Sequence, residues 1–128
     1  MDREWDQNQP IYRQLRDMVV AMILDGSLAE GDALPSVRQV AADHRVNPLT
    51  VLKSFQALVD EDLVEKRRGV GMFVKKGARH AALRDEREKF LKEDWPRILD
   101  AMERLGITAE QLLDRKKSHL RPKLKEGR

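Results

Sequence analysis

Two short stretches of the sequence bring together side chains that could contact a nucleic acid. Asn47, Thr50 and Lys53 lie where a helix is predicted to begin, and the basic segment Arg67–Gly69 follows in a predicted turn. Amide and hydroxyl groups hydrogen-bond to phosphates or base edges, an ammonium group neutralises a phosphate, and a basic turn can reach a neighbouring minor groove. This is binding chemistry, and the sequence shows no nucleophile with a base, no metal-ligand cluster and no phosphate-cradling loop that would indicate an enzyme.

Each of these residues also has an ordinary structural explanation. Asn47 could simply cap a helix, Lys53 could be solvated, and Gly69 and Gly71 could serve only the geometry of a turn. For an isolated helix we would favour that explanation. The polar helix start and the basic turn lie close together in the chain, however, and this combination favours contact with a nucleic acid.

The elements that must position these residues begin with a first helix. Pro10 suits the first helical position, and Gly26 suits the left-handed conformation that ends a helix. Between them, apolar residues at three- and four-residue spacing predict one buried helix face: Ile11, Leu15, Met18, Val19, Met22 and Ile23. The stretch from Gly26 to Leu34 is predicted as a loop.

Two short helices with a tight turn between them are predicted next. Ser36 followed by Gln39 indicates a capping box, and this helix is expected to end near His44. Asn47 can cap the following helix with Pro48 at its first position. The buried side of that third helix is predicted to consist of Val51, Ser54, Phe55 and Leu58.

In a helix-turn-helix, the second helix of the pair enters the major groove, and the residues in its first turns lie closest to the bases. Given the predicted buried side, the outward candidates are Asn47, Pro48, Leu49, Thr50, Leu52, Lys53 and Gln56. Among them, Leu49 and Leu52 could contact thymine methyl groups. Arg38, near the start of the preceding helix, is predicted to lie beside the same groove.

Two short strand-like segments separated by a glycine-bearing turn predict a β-hairpin, the wing. The runs are Leu63–Arg67 and Met72–Val74, and the turn is Arg68–Gly71. The order helix, helix, turn, helix, strand, turn, strand predicts a winged helix-turn-helix DNA-binding domain over residues 1–76. The expected fold class is therefore mainly α with a small β-hairpin.

Beyond the hairpin the chain changes character, and a long helical stripe with large apolar residues begins. Pro96 is expected to bend this helix, Gly106 to end it, and Thr108 to cap another. A single helix cannot bury such a stripe, so we expect residues 77–118 to form a short α-helical dimerisation module that uses Leu83, Arg87, Phe90, Leu91, Trp95, Ile98, Leu99 and Met102. Packing of this stripe on the winged domain is the alternative. The basic residues 119–128 are expected to form a mobile tail.

Composition limits the classes of function further. The chain has 128 residues, of which 37% are charged, and a formal net charge of +3. It lacks Cys and its three His are dispersed, so disulfides are excluded, and neither a metal nor a cofactor is expected. The N-terminus lacks an apolar signal core and no apolar run approaches the length of a membrane span, so we expect a cytoplasmic protein without a membrane partner.

Three segments in order resemble the DNA-binding domain of the GntR family of bacterial regulators, over residues 10–75. They are Gly31–Arg38, Val46–Val51 and Arg67–Val74. The short helical remainder, with Asn-Pro opening the third helix, is similar to the YtrA-like branch, in which a C-terminal pair of helices forms the dimer. The resemblance implies DNA contacts by Arg38, Asn47, Thr50, Arg68 and Gly69.

The chain departs from the family pattern at two positions of the third helix. Many family members have arginine where this chain has Pro48 and where it has Leu52. The two DNA contacts that these arginines commonly make in the family are therefore not expected in this chain. Readout is expected to depend more on thymine methyl groups, Arg38, DNA shape and the wing.

The resemblance implies a homodimeric repressor that binds an inverted-repeat operator in double-stranded DNA. Two recognition helices that read half-sites one helical turn apart would bind bivalently. A small-molecule effector is left open: Trp95 and Arg87 could line a site at the dimer interface, although core packing is the more ordinary duty of Trp95. The alternative from another class is a winged-helix adaptor that binds a protein or a structured RNA.

Overall fold

The chain folds in the predicted order of elements. The computed structural model describes residues 5–119, which form α1 (Ile11–Asp25), α2 (Val37–His44), α3 (Pro48–Asp60), β1 (Val64–Arg67), β2 (Gly71–Val74), α4 (Ala78–Lys89), a π-helical segment (Phe90–Asp94), α5 (Trp95–Leu105) and α6 (Ala109–His119). This mainly α fold with an antiparallel hairpin confirms the predicted winged helix-turn-helix. Of the predicted tail, residues 120–128 lie outside the described residues.

The helix starts follow from local sequence, with two differences from expectation. Pro10 was predicted at the first helical position, but it precedes α1, which begins at Ile11. The Pro10 carbonyl accepts a hydrogen bond from the Arg13 amide at 3.2 Å. Ser36 caps α2, since its hydroxyl accepts from the Gln39 amide at 3.0 Å. The Gln39 side chain, however, donates to Asp43 Oδ1 at 2.9 Å instead of accepting from the Ser36 amide, so the predicted capping box is only half formed.

The wing is the antiparallel pair of β1 and β2. Val64 lies opposite Val74 and Arg67 lies opposite Gly71, so residues 68–70 form the connection. Gly71 has a φ of 137°, which residues with a side chain rarely adopt. A glycine at this position therefore lets the second strand begin directly after the turn.

A third segment pairs with the outer side of β2. The Gly31 amide donates to the Val74 carbonyl at 2.8 Å, and the Val74 amide donates to the Asp32 carbonyl at 2.8 Å. Ala33 forms an antiparallel bridge to the same strand. The predicted loop over residues 26–34 is confirmed, since it contains no helix or strand, but its last part is held to β2 by these hydrogen bonds and the isolated bridge.

The hydrophobic core joins the three N-terminal helices, the hairpin and the first turns of α4. Its buried apolar residues are Leu15, Val19, Val20, Ile23, Leu28, Leu34, Val40, Ala41, Val51, Phe55, Leu58, Leu63, Val64, Val74, Ala78 and Ala82. Because Ala78 and Ala82 belong to this core, the first compact unit continues into α4 and ends at Glu86. It thus extends beyond residue 76, where the sequence placed the division.

A second compact unit begins at Arg87 and is helical. Pro96 lacks the amide hydrogen that would bond to the carbonyl four residues earlier, and the helix adopts wider π-helical winding over Phe90–Asp94, directly before this proline. The sequence predicted a bend at Pro96, and the structure shows a change of helical winding there. Within the described part of this unit, neither the π-helical segment nor α5 contains a buried residue.

The end of α5 and the start of α6 follow the prediction. Gly106 ends α5 in the left-handed conformation, with a φ of 65°. Thr108 and Gln111 then form a complete capping box, in which the Gln111 amide donates to Thr108 Oγ1 at 3.1 Å and the Thr108 amide donates to Gln111 Oε1 at 2.8 Å.

Candidate nucleic-acid interface

The start of α3 is fixed by Asn47 and Pro48. The Asn47 side-chain oxygen accepts a hydrogen bond from the Leu49 amide at 2.8 Å, and Pro48 occupies the first helical turn. The predicted cap is therefore confirmed. Because the cap engages the oxygen of Asn47, its Nδ2 group is left as a donor that a phosphate oxygen could accept from.

The two sides of α3 differ sharply in burial. Its buried residues are Val51, Ser54, Phe55 and Leu58, the set that the sequence predicted. The opposite side is exposed and includes Leu49, Leu52, Lys53 and Gln56. Leu49 is 72% exposed and Leu52 is 43% exposed, so this side of the helix presents two apolar side chains to solvent. Thr50 is half-buried.

Lys53 is positioned by a neighbouring helix that sequence reasoning did not connect with it. Its ammonium nitrogen lies 4.2 Å from the centre of the Tyr12 ring in α1. A cation above an aromatic face is attracted by the ring, so Tyr12 restrains Lys53 at one edge of the α3 surface. Only the three-dimensional packing of α1 against α3 reveals this pair.

Arg38 lies exposed on the first turn of α2, directly after the Ser36 cap. Among the residues that the structure describes, it forms no ion pair, so its full charge is available to a ligand. It lies on the first helix of the helix-turn-helix pair, and its position beside a DNA groove stays a prediction.

The two arginines of the wing differ in what surrounds them. Arg67 forms an ion pair with Glu65 at 2.9 Å, and its guanidinium lies 4.1 Å from the centre of the Phe73 ring. Arg68 is exposed and forms no ion pair within residues 5–119. Gly69 beside it has a φ of 73° and is also exposed. The sequence treated the two arginines alike, whereas the structure leaves only Arg68 without a local carboxylate.

A third basic residue at the base of the wing is also paired. Lys75 Nζ lies 2.6 Å from Asp62 Oδ1, and this hydrogen bond raises the pKa of Lys75 above its ordinary value. Both groups are at the surface, so the pair contributes little to stability. Its consequence is that Lys75 carries less uncompensated charge toward a ligand than its position suggests.

Arg16 connects α1 to the end of α3 and to α4 through ion pairs. From α1 it forms ion pairs with Glu61, at the end of α3, and with Glu86 in α4, the latter at 3.5 Å. Burial alone would lower the pKa of Arg16, but hydrogen bonds to Glu61 and Asp17 outweigh burial and raise the pKa. The end of α3 and the C-terminal half of α4 are thus tied to the same side chain.

The predicted dimerisation residues lie on the helices of the C-terminal half, Leu83 in the first compact unit and the others in the second. Exposed members are Leu83, Arg87, Phe90, Leu91, Trp95 and Leu99, and Ile98 and Met102 are half-buried. Two further leucines that the sequence left out of the set, Leu112 and Leu113 of α6, are exposed as well.

Over residues 5–119, no three His, Cys, Asp or Glu side chains come together in a way that could hold a metal ion. In the same part of the chain, no helix combines the length and apolar character needed to cross a membrane.

Comparison with known proteins agrees with this geometry. Residues 11–74 match the family described as bacterial regulatory proteins, gntR family. The chain is 34% identical over 115 residues to the uncharacterized HTH-type transcriptional regulator YhcF of Bacillus subtilis, covering 89% of this chain and 93% of that protein. It is 31% identical over 103 residues to the HTH-type transcriptional repressor YtrA of the same species, covering 80% of this chain and 78% of that protein.

A solved structure extends the similarity over both compact units. A GntR family transcriptional regulator from Listeria monocytogenes matches with a TM-score of 0.74 at 26% identity, covering 89% of this chain and 98% of that chain. Together with the relatives above, it confirms the resemblance that three short sequence segments indicated.

Proposed function

The chain belongs to the GntR family of bacterial regulatory proteins, and from this premise we propose that it is a homodimeric repressor that binds an inverted-repeat DNA operator. Its membership establishes a transcriptional regulator with a DNA-binding domain. The dimer, the repression and the operator are the proposal. A regulator of this kind acts on chromosomal DNA, so we also propose a cytoplasmic location.

The observation that supports operator binding best is the exposed side of α3. The cap and one side of the first two turns are exposed, as a recognition helix requires in order to enter a major groove. Arg38, Lys53 and Arg68 supply positive charge on α2, on α3 and at the wing. Basic groups on separate elements suit phosphates on either side of the groove.

The homodimer is supported by the apolar surface of the second unit. Phe90 is 44% exposed, Leu91 is 60% exposed and Leu99 is 42% exposed. Contiguous exposed apolar residues mark interaction sites, and a second copy of the chain would present the same surface in return. Two winged units in one dimer would read two half-sites, and the second contact would strengthen the first.

Repression is supported by one relative, since the similar YtrA of Bacillus subtilis is named a repressor. A dimer bound across a promoter would exclude RNA polymerase from it.

Selection of genomic fragments tests the operator. The purified full chain is incubated with random fragments of the source genome, and bound fragments are sequenced and then compared with random duplex DNA in a binding-shift series. We expect an inverted repeat with half-site centres about one helical turn apart. Equal affinity for all duplexes would contradict operator reading, and preferential competition by structured RNA would favour the adaptor alternative.

A reporter gene separates repression from activation. The selected fragment is placed upstream of the reporter, and expression is measured with and without the protein. Lower expression in its presence is expected. Higher expression would show that the bound regulator is an activator.

Substitutions in the wing test the local basis of binding. Arg68→Ala is expected to weaken binding and to reduce the slope of log affinity against log salt by about 1 for each wing that contacts DNA. Arg67→Ala is the matched control, because its guanidinium is already paired with Glu65 and should change the slope less. A slope unaltered by Arg68→Ala would show that the wing tip does not contact phosphates.

A further inference from the structure

On the outward-facing side of α3, polar side chains already make contacts within the chain. The Asn47 side-chain oxygen is engaged by the Leu49 amide at 2.8 Å. A bidentate contact to adenine needs both the oxygen and the nitrogen of an amide side chain. The oxygen keeps a second lone pair, but the cap orients it toward the Leu49 amide, so Asn47 is better suited to contact the DNA backbone than to read adenine bidentately.

The other polar candidates on this helix are restrained by a neighbouring side chain or are partly buried. Lys53 is held over the Tyr12 ring, 4.2 Å from its centre, at the side of the helix. The Gln56 amide nitrogen donates to Asp60 Oδ1 at 3.2 Å, and Thr50 is half-buried. The first two turns thus present few free polar groups with which to read base edges.

What these turns do present is two leucines. Leu49 and Leu52 are the most prominent apolar groups on the exposed side, with 72% and 43% of their surface accessible. They are three residues apart, so they lie about 4.5 Å apart along the helix axis, close to the spacing of about 3.4 Å between successive bases of one strand. Two neighbouring base pairs therefore fall within their reach.

We infer that Leu49 and Leu52 read the operator through the 5-methyl groups of thymines on adjacent base pairs, so that each half-site contains neighbouring A·T pairs in the major groove. The thymine methyl is the apolar group that base edges present there, and no other base of DNA has it. The surrounding cations favour DNA as the occupant, because Arg38, Lys53 and Arg68 complement phosphates and would repel a basic partner. This inference rests on the proposed function and names the feature that the same surface recognises.

The test removes single methyl groups from the DNA. Each thymine of the selected operator is replaced in turn by deoxyuridine, which keeps base pairing and lacks only the methyl. Affinity of the full chain is measured by fluorescence anisotropy at fixed salt. We expect adjacent positions in each half-site at which the replacement weakens binding about fourfold, the effect of one buried methyl group.

Variants then assign those positions to residues. Leu49→Ala should bind the unmodified operator more weakly and should lose the deoxyuridine effect at one position, and Leu52→Ala should lose it at the neighbouring position. Both leucines are exposed, so the fold should tolerate the change. Val70→Ala is the matched control: Val70 is an exposed apolar residue at the wing, 69% accessible, and a wing in the minor groove cannot contact a thymine methyl. It should retain the full deoxyuridine effect at both positions.

The outcomes are distinct. If no thymine is sensitive although the operator is still preferred over random DNA, the inference is overturned and the proposed function stands. If sensitive positions exist but keep their effect in both leucine variants, another residue contacts the methyl groups and the assignment is overturned. If no fragment is preferred at all, the proposed function fails and the inference fails with it.

Discussion

The two compact units of the chain differ in where their apolar side chains lie. In the first unit, residues such as Leu15, Leu58 and Leu63 are at most 1% exposed and pack on one another. In the second unit, the π-helical segment and α5 bury no residue among those that the structure describes, and Trp95 and Leu99 remain in contact with solvent. The first unit is therefore stabilised by its own hydrophobic core. The second needs a partner surface to bury its apolar side chains, and we propose that a second copy of the chain supplies it.

The largest expected effect is the loss of a core leucine in the first unit. Leu58→Ala removes a side chain that is 0% exposed, and we expect the free energy of unfolding to fall by about 3 kcal/mol. Urea denaturation followed by circular dichroism measures it. Leu49→Ala, on the same helix but exposed, is the control and should change stability by less than about 0.5 kcal/mol. Equal losses in both variants would contradict the division of α3 into a buried and an exposed side.

The next effect concerns the apolar surface of the second unit. Leu99→Ala should weaken the proposed dimer about 30-fold, since a dimer contains two copies and each loses about 1 kcal/mol of apolar burial. Sedimentation over a range of protein concentrations measures the dissociation constant. Arg97→Ala on the same helix is the control, because Arg97 pairs only with the nearby Asp94 at the surface. A dimer that is equally stable in both variants would mean that another surface joins the subunits.

A smaller effect is expected from ion pairs, and it should again differ between the units. Arg16→Met breaks a partly buried pair with Glu61 and should cost about 1 to 2 kcal/mol, between the values for surface and buried pairs. Arg104→Met breaks the exposed pair with Asp100 in the second unit and should cost less than about 0.5 kcal/mol. Urea denaturation of both variants gives the comparison. Similar losses would show that burial of Arg16 does not strengthen its pair.

The same pair predicts how stability responds to alkali. The pKa of Arg16 is raised in the folded chain, so its contribution is fully present below the pKa of the unfolded state and is lost only above the raised value. Raising the pH from about 7 to about 10 should therefore leave the difference between the parent and Arg16→Met unchanged. A difference that shrinks over this range would contradict the assignment.

Sequence reasoning succeeded where a feature depends on residues close together in the chain. The caps at Asn47 and Thr108 and the buried side of α3 follow from spacings of two to four residues, and the structure shows all of them. The order of helices and strands was predicted for the same reason. Local spacing determines which side of a helix is apolar before any tertiary contact is known.

Features that depend on distant residues were missed. Residues 31–34 join the sheet through hydrogen bonds to β2, which no local pattern indicates. Gln14 is buried because its side chain bonds to the backbone of Asp6, which holds the N-terminal segment against α1. In the candidate site, the positions were predicted but not their contacts: only the packing of α1 against α3 shows that Lys53 lies over the Tyr12 ring.

Effects smaller than the loss of the Arg16 pair are expected from two helix caps, one in each unit, and the two units should differ in the kind of change that follows. Ser36→Ala and Thr108→Ala each remove a side-chain hydrogen bond to a helix-start amide, worth about 1 kcal/mol. Because Val40 and Ala41 fix α2 in the core, loss of the first cap should lower the midpoint of global unfolding. The helix α6 begins with exposed residues, so loss of the second cap should leave that midpoint unchanged and speed amide hydrogen exchange in α6 instead. A shift of the global midpoint by Thr108→Ala would show that α6 unfolds together with the winged unit, and the contrast between the two units would then not extend to their cooperativity.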